Sequence, residues 1–422
     1  MSKKENPFKY KIPTGYVTCG GQLRIYPNQQ AFAYFMQTFG NCRYVWNQFK
    51  DCLDTRYQNN SKLQFPKLKY LYQILTQLKQ EHDFLKKSDS TALQTVVTNY
   101  SQAQWDYMKG KHGKPHFKSR RFYKQTFNMK SNCNSIRIVG SNLVRLPKIG
   151  LVKCSNTACF NNYKILRATI TWREDLNKFW ISFNGIKPQP KHHHKTNKIV
   201  GIDVGLGNEW LVTSDGHRFN VPAVKELQHQ RDHWQSIKDK RKNVVEQLVA
   251  QFNNIHKDCT IDAYNYHNWQ KARKTMAKYN FKIANIRIDR IRKAVKWLVT
   301  NYDVIIIEDL KVKNLMHNHK LARAITNACW YKFRQILEYE CDWYGKKLVV
   351  VPPQYTSRIC SNCQRKNPEF QHLKTNQWLA IRQWVCPFCH TNHNRDINAA
   401  INIKNRGLKI LKQTEGWTRS SR

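Results

Sequence analysis

Near its carboxyl end the chain reads CSNC, then 22 residues, then CPFCH. Two Cys-x-x-Cys knuckles at this distance constrain the fold more than any other stretch. Cys360, Cys363, Cys386 and Cys389 offer four thiolates to one tetrahedral Zn²⁺. Four unrelated thiols or two disulfides are the competing readings, and a reducing compartment argues against disulfides. Four protein thiolates close the coordination shell, so the expected zinc is structural and not catalytic. The knuckles fasten a small lobe that could not bury a core of its own. With 422 residues, the rest of the chain is long enough for two or three domains.

Charge decides the class of partner. Lys and Arg number 72 against 28 Asp and Glu, a net charge of +44, and aromatics make up 12% of residues. So large an excess repels itself unless a polyanion meets it. Nucleic acid fits, because cations take phosphates and aromatic rings take bases. A membrane is not expected: no 18-residue apolar run occurs, and MSKKENPFKYK carries no signal-peptide core. The expected place is the cytoplasm of a bacterium or archaeon, beside the nucleoid. Nine of the 13 cysteines lie outside the knuckles. Those such as Cys42, Cys52 and Cys341 read as reduced packing thiols.

Residues 1–26 include GYVTCGGQLRIY, an alternating strand pattern. From Pro27 a helical period begins, with Phe32, Phe35, Phe39, Val45 and Phe49 toward a core. Arg43, Asn47 and Lys50 lie near another face, either solvated or against nucleic acid. Lys67 to Lys86 and Thr91 to Lys109 read as further helices. Residues 110–130 alternate basic and aromatic side chains around glycines, a composition suited to a nucleic-acid backbone. Short strands follow from Ile136 to Asn184, so the helices read as an insertion into a β module, a small barrel or sheet. Residues 187–197, with His192, His193 and His194, read as a solvated basic linker.

At Lys198 the texture changes. KIVGIDVGLGNEWLVTSDGHRF reads as strand, tight turn, strand, Asp-Gly turn, strand. Alternation puts Gly201, Asp203 and Gly205 on one face and Val200, Ile202 and Val204 on the other. Two long basic helices, 222–257 and 262–301, read as an antiparallel hairpin. Val304 to Ile307 is a buried strand, with Glu308 and Asp309 at its carboxyl end, where α/β sheets place ligands. One helix from Leu321 to Tyr344 and another buried strand, KKLVVVPP, lead into the knuckles. After them Asp396 opens a helix with Ile397, Ala400, Ile401 and Leu408 at helical spacing. The residues from 411 to 422 read as a disordered polar tail.

Asp203 in mid-strand is costly unless a cation meets it. Alone, Asp203 is a turn residue, Glu308 a surface residue and Asp396 a helix cap. Together they sit where a ribonuclease-H-like sheet would bring all three to one edge. Three converging carboxylates can hold two Mg²⁺ ions about 4 Å apart for phosphodiester hydrolysis, since Mg²⁺ prefers hard oxygen ligands.

At these residues the sequence resembles the TnpB family of transposon-encoded, RNA-guided nucleases, relatives of the miniature type V CRISPR effectors. TFGNCRYVWNQF resembles the family's amino-terminal signature and GKPHFKSRR its basic connector. GIDVGLG, IIIEDLKVKNL and RDINAAINI resemble its three RuvC motifs, and the paired knuckles its zinc ribbon. The resemblance implies an α+β multi-domain fold. A wedge-type β-barrel (1–26 and 126–197) would carry an inserted helical recognition lobe (27–125). An RNase H-like (RuvC) α/β nuclease domain (198–357 and 393–410) would be interrupted by a zinc ribbon that binds target nucleic acid (358–392). It further implies Asp203, Glu308 and Asp396 as catalytic magnesium ligands, one structural zinc, a guide RNA from the transposon end, and double-stranded DNA cut beside a short motif. Gln364 and His390 stand where the family has glycine, and must tolerate the knuckle's backbone geometry. Asn394 replaces an acidic residue just before Asp396. Two other readings remain: an RNA-guided DNA-binding protein with an idle nuclease, and a RuvC-fold transposase or resolvase that needs no guide.

Overall fold

An eleven-residue strand, β1 (Tyr16–Tyr26), leads into three helices: α1 (Gln29–Asn59), α2 (Leu68–Glu81) and α3 (Ser90–Met108). The computed structural model describes residues 12–60, 63–160, 162–188, 195–207, 209–220, 224–256, 261–370, 372–373, 377 and 380–415. The His192–His194 run lies outside them. Two compact units divide the chain, residues 1–189 and 190–422.

In the first unit Asn28 caps α1, its side chain accepting from Ala31 N at 2.9 Å, and Asp89 caps α3. Such caps contribute about 1 kcal/mol each. Six strands follow: β2 (Lys124–Lys130), β3 (Arg137–Val139), β4 (Leu143–Leu146), β5 (Gly150–Cys154), β6 (Lys164–Arg173) and β7 (Lys178–Pro188). With β1 they form one antiparallel sheet in the order β2-β6-β7-β1-β5-β4-β3. The helices therefore stand between two strands of one sheet, as the order of patterns suggested. Phe35, Phe39, Val45 and Phe49 of α1 are buried with Phe127, Ile170 and Phe179 of the sheet. Phe32 is the exception: it is 40% exposed and only its ring edge meets Phe179.

The second unit holds β8 (Ile199–Val204), β9 (Glu209–Thr213), β10 (Arg218–Asn220), α4 (Lys225–Ile255), α5 (His267–Asn301) and β11 (Val304–Glu308). After them come α6 (Val312–Leu315), α7 (His319–Ala328), α8 (Trp330–Tyr344), β12 (Lys347–Val351), β13 (Gln383–Val385), β14 (Asn392–Asn394) and α9 (Arg395–Glu415). The main sheet runs β10-β9-β8-β11-β12. Strands β8, β11 and β12 are parallel; β9 pairs antiparallel with β8, and β10 pairs antiparallel with β9, so β9 alone runs against the rest. One face packs on α5 and α8 through Val200, Ile202, Ile305 and Ile307; the other packs on α9 through Ile306, Val349 and Val351.

Two glycines bring α9 against the sheet. A Cβ at Gly201 would lie 2.2 Å from the Ala400 carbonyl, and one at Gly407 would lie 2.5 Å from Ile306 Cδ1. Neither contact leaves room for a larger side chain. The face of β8 that carries Gly201 and Asp203 is thus the face α9 covers.

Two expected elements differ. The run from Leu321 to Tyr344 is two helices, because Cys329 adopts φ +54° and the Ala328 carbonyl accepts from the Trp210 indole at 2.8 Å. The stretch from 411 is not a tail at its start: α9 continues to Glu415, with Leu411 buried against β12's side of the sheet. Residues 416–422 lie outside the described residues. Among the described residues no helix is long and apolar enough to cross a membrane.

Candidate functional site

Register places the first two carboxylates. Strands β8 and β11 pair with Ile307 beside Ile202. Asp203 and Glu308 are the next residues along the two strands, close enough for the Glu308 charge to act on Asp203. Asp203 and Gly201 share a face, so Asp203 points toward the amino end of α9. There Asn394 accepts from the backbone N–H groups of Asp396 and Ile397, each at 3.2 Å. Asn394 therefore caps α9. Asp396 is not the cap; it lies in the first turn of the helix, with its carboxylate at the cleft.

An open cleft of about 710 Å³ is lined by Asp203, Glu308 and Asp396 together with Arg382, Arg395, Thr356 and Arg218. The carboxylates differ in what holds them. Asp396 meets two guanidiniums, Arg382 at 2.9 Å and Arg395 at 2.9 Å. Glu308 accepts from the Thr356 hydroxyl at 2.6 Å. Among the described residues neither Asp203 nor Glu308 forms an ion pair. Burial first, then the charges of Glu308 and Asp396, push the Asp203 carboxyl from 3.8 up to about 8. That costs its ionised form on the order of 5 kcal/mol at the sheet edge. Burial likewise raises Glu308, with the Thr356 hydrogen bond opposing. Ionising both needs a positive charge between them.

The four cysteines are built differently. Their Sγ atoms all lie within 4.8 Å of one another. Cys360 to Cys389 and Cys363 to Cys386 are each 3.6 Å. A tetrahedron with Zn–S near 2.3 Å has edges of about 3.8 Å, whereas a disulfide needs about 2.05 Å. The sulfurs fit zinc and exclude disulfides. Burial raises the Cys360 thiol, while the Thr391 hydroxyl and backbone lower Cys389. Holding all four as thiolates needs a cation at the centre. Gln364 and His390 sit at φ +61° and +54°. These are the left-handed positions where glycine was expected. Among the described residues this is the one group of three or more His, Cys, Asp or Glu gathered so tightly; the three carboxylates share a cleft without reaching that closeness.

Other expected contacts are spent on the fold. Lys50 is buried on Asp54 at 2.5 Å, Asn47 binds the backbone of Lys118, and Arg43 reaches Gln125 at 3.3 Å. Cys42 and Cys341 are buried, but Cys52 is exposed. The segment before β2 keeps its expected character: Phe117 and Phe122 are more than half exposed. Sequence reasoning missed Thr356, Arg382, Arg395 and His393, the last hydrogen-bonded to Cys360 Sγ at 3.0 Å. Arg395 adjoins Asp396 and could have been suspected; Thr356 carries no local signal.

Mixed α/β units, a cleft of carboxylates at a sheet edge and a Cys₄ cluster that fits zinc make up a multi-domain fold resembling that of the Cas12 effectors. A Cas12f1 chain solved by cryo-EM in its sgRNA–target DNA complex aligns over 93% of this chain and 99% of its own, with a TM-score of 0.57 at 13% identity. Family models described as "Probable transposase" (OrfB_IS605), "Helix-turn-helix domain" (HTH_OrfB_IS605) and "Cas12f1-like, TNB domain" match residues 184–319, 20–62 and 330–403. Within residues 20–62 the described structure is the end of β1 and a single long helix. A "Putative RNA-guided DNA endonuclease" of Streptomyces pristinaespiralis is 28% identical over 402 residues, covering 92% of this chain and 89% of that protein. InsQ of Escherichia coli K12, of the same description, is 25% identical and covers 78% of each. By these matches the chain is similar to the TnpB-type RNA-guided endonucleases.

Proposed function

We propose that this chain is a transposon-encoded, RNA-guided, Mg²⁺-dependent DNA endonuclease. One observation carries the chemistry: Asp203, Glu308 and Asp396 come from three distant segments to one cleft, and among the described residues the two on the sheet form no ion pair. The β10-β9-β8-β11-β12 order, with β9 alone running against the other strands, supports an RNase H-like (RuvC) reading of this sheet. The seven-stranded sheet and helices α1–α3 would be the wedge module and recognition lobe, and the Cys₄ lobe a target-nucleic-acid-binding ribbon.

The residues present fit magnesium, since hard carboxylate oxygens surround the cleft. Bound Mg²⁺ would supply Lewis acidity to the attacking water and the leaving 3′ oxygen. The chain's own part is to hold oxygens in place. The ladder of β8 fixes Asp203, Thr356 fixes Glu308, and the first turn of α9 fixes Asp396. Arg382 and Arg395 line the same cleft, where a phosphate must lie. The guide-RNA reading draws on the relatives' names, on the net charge of +44 and on the exposed aromatic and basic side chains of 110–123. An RNA would read sequence by pairing while the protein reads shape and a short flanking motif. Such an enzyme would act in the cytoplasm, beside the nucleoid.

The test is reprogramming. The protein is purified with its RNA, the guide end is changed, and old and new duplex targets are assayed in Mg²⁺. Cutting should move to the new target. Cutting that stays at the old site, or survives digestion of the RNA, would instead make the chain an unguided transposase or resolvase.

A further inference from the structure

Glu308 sits on a strand, but its carboxylate takes its orientation from a connection outside the sheet. Asp203 and Asp396 are set by a strand ladder and a helix start, but Glu308 is held by Thr356, 48 residues on, in the connection between β12 and the first knuckle. That connection, residues 352–359, has no regular structure beyond the single bridge of Ile359 to Lys366. Something else must hold its backbone.

Two amides of α9 do so. Asn402 Nδ2 donates to the Thr356 carbonyl at 2.8 Å and to the Ile359 carbonyl at 2.7 Å. Asn398 Nδ2 donates to the same Ile359 carbonyl at 2.8 Å, while its Oδ1 accepts from Ser361 N, inside the knuckle, at 2.8 Å. Both side chains are buried, at 1% and 3% exposure. Four residues apart, they share one face of α9. Asparagine is a poor choice for a helix interior and its amide is costly to bury, so bonds on both its donor and acceptor sides are needed to offset that cost. These bonds run from the zinc knuckle, through the connection, to the hydroxyl that orients Glu308.

We propose that Asn398 and Asn402 are a clasp through which the zinc knuckle positions Glu308, with Asn402 and Thr356 acting as positioning residues for the metal cleft. The inference rests on the nuclease reading for its consequence in cleavage, but not for its consequence in metal binding. When the knuckle is intact, its backbone holds Asn398, the two amides hold the connection, and Thr356 presents its hydroxyl to Glu308. When the clasp is cut, Glu308 keeps its place on β11 but loses the orientation of its carboxylate.

The experiment uses the full-length protein and the variants Thr356→Val, Thr356→Ser, Asn402→Ala and the double variant Thr356→Val/Asn402→Ala. Mn²⁺ serves as the probe, its binding followed by electron paramagnetic resonance without nucleic acid. Zinc content and melting temperature are measured alongside. Outer partners of metal ligands typically change affinity or activity by about 10- to 100-fold. Thr356→Val should weaken Mn²⁺ binding within that range, and Thr356→Ser should restore it, with one zinc per chain throughout. Asn402→Ala should produce the same weakening, and the double variant should be no worse than the poorer single, because both cut one chain of bonds. In cleavage the loss should fall on kcat, with DNA affinity unchanged. An unchanged Mn²⁺ midpoint in Thr356→Val, or multiplying effects in the double variant, overturns the clasp. If Asn402→Ala does not fold, the Val and Ser pair at Thr356 still decides the matter. A wild-type protein that binds Mn²⁺ but cuts nothing with its RNA overturns the nuclease reading instead.

Discussion

The two metal-seeking places in the second unit are neighbours in sequence and opposites in construction. The zinc knuckles bring four soft sulfurs within 4.8 Å of one another, two of them buried, and close the shell. The carboxylate cleft keeps its three acids further apart, leaves about 710 Å³ open, and pairs one of them with two guanidiniums. A closed set holds an ion for stability; an open set leaves positions for water and a phosphate. The difference lies in which parts of the chain supply the ligands. Short knuckles supply thiolates locally, whereas the acids arrive from a strand, a second strand and a helix that only the sheet brings together.

The comparison breaks most sharply at the acids. Asp203→Ala, Glu308→Ala and Asp396→Ala should each remove detectable DNA cleavage while leaving RNA and DNA binding intact, because losing one ligand misplaces the metal. Near-normal cutting in Mg²⁺ by any one of them would take that residue out of the site. Next is Cys386→Ser. It should lose zinc, loosen the lobe around Phe370 and Trp384, and impair cleavage through the contacts of the knuckle with α9. Elemental analysis that finds no zinc in freshly purified wild-type protein would defeat the closed-site half of the comparison.

A third test concerns pH. Asp203 is held near 8 in the fold against 3.8 as its ordinary value. The protonated form therefore stabilises the fold, a contribution complete below about pH 4 and lost as pH rises toward about 8. Metal-free wild type should lose melting temperature relative to Asp203→Asn over that window. Mg²⁺ should restore it, more at about pH 8 than at about pH 5. Parallel curves for the two proteins would mean that the cleft has no need of a cation. The smallest effect is expected at the knuckles. Gln364→Gly and His390→Gly relieve side chains at φ +61° and +54°. Each should stabilise the zinc-bound lobe by about 1 kcal/mol, read as slower zinc loss to a chelator; faster loss would show that the side chains contribute more than their strain costs.

Much of this arrangement was legible beforehand for physical reasons that differ by region. The knuckles are legible because their ligands lie close in sequence, where spacing alone limits geometry. The strand carrying Asp203 is legible because β-branched alternation makes a mid-strand carboxylate conspicuous. Lys50 misled because a lysine on a polar face looks solvated until a carboxylate four residues on, Asp54, draws it inward. The run from Leu321 to Tyr344 misled because its apolar period continues through Cys329, while the break comes from Trp210, more than a hundred residues away.

By itself the sequence determined the four-cysteine cluster, the basic composition, most of the order of strands and helices, and which three acids were candidates. Those depend on local spacing, composition and period. Tertiary structure alone decided that Glu308 stands beside Asp203, that Asn394 and not Asp396 caps α9, and that Thr356, Asn398 and Asn402 tie the knuckle to the cleft. Strand register, helix docking on Gly201 and hydrogen bonds spanning 37 to 48 residues have no local signature. They exist only once the sheet has formed and α9 has packed across it.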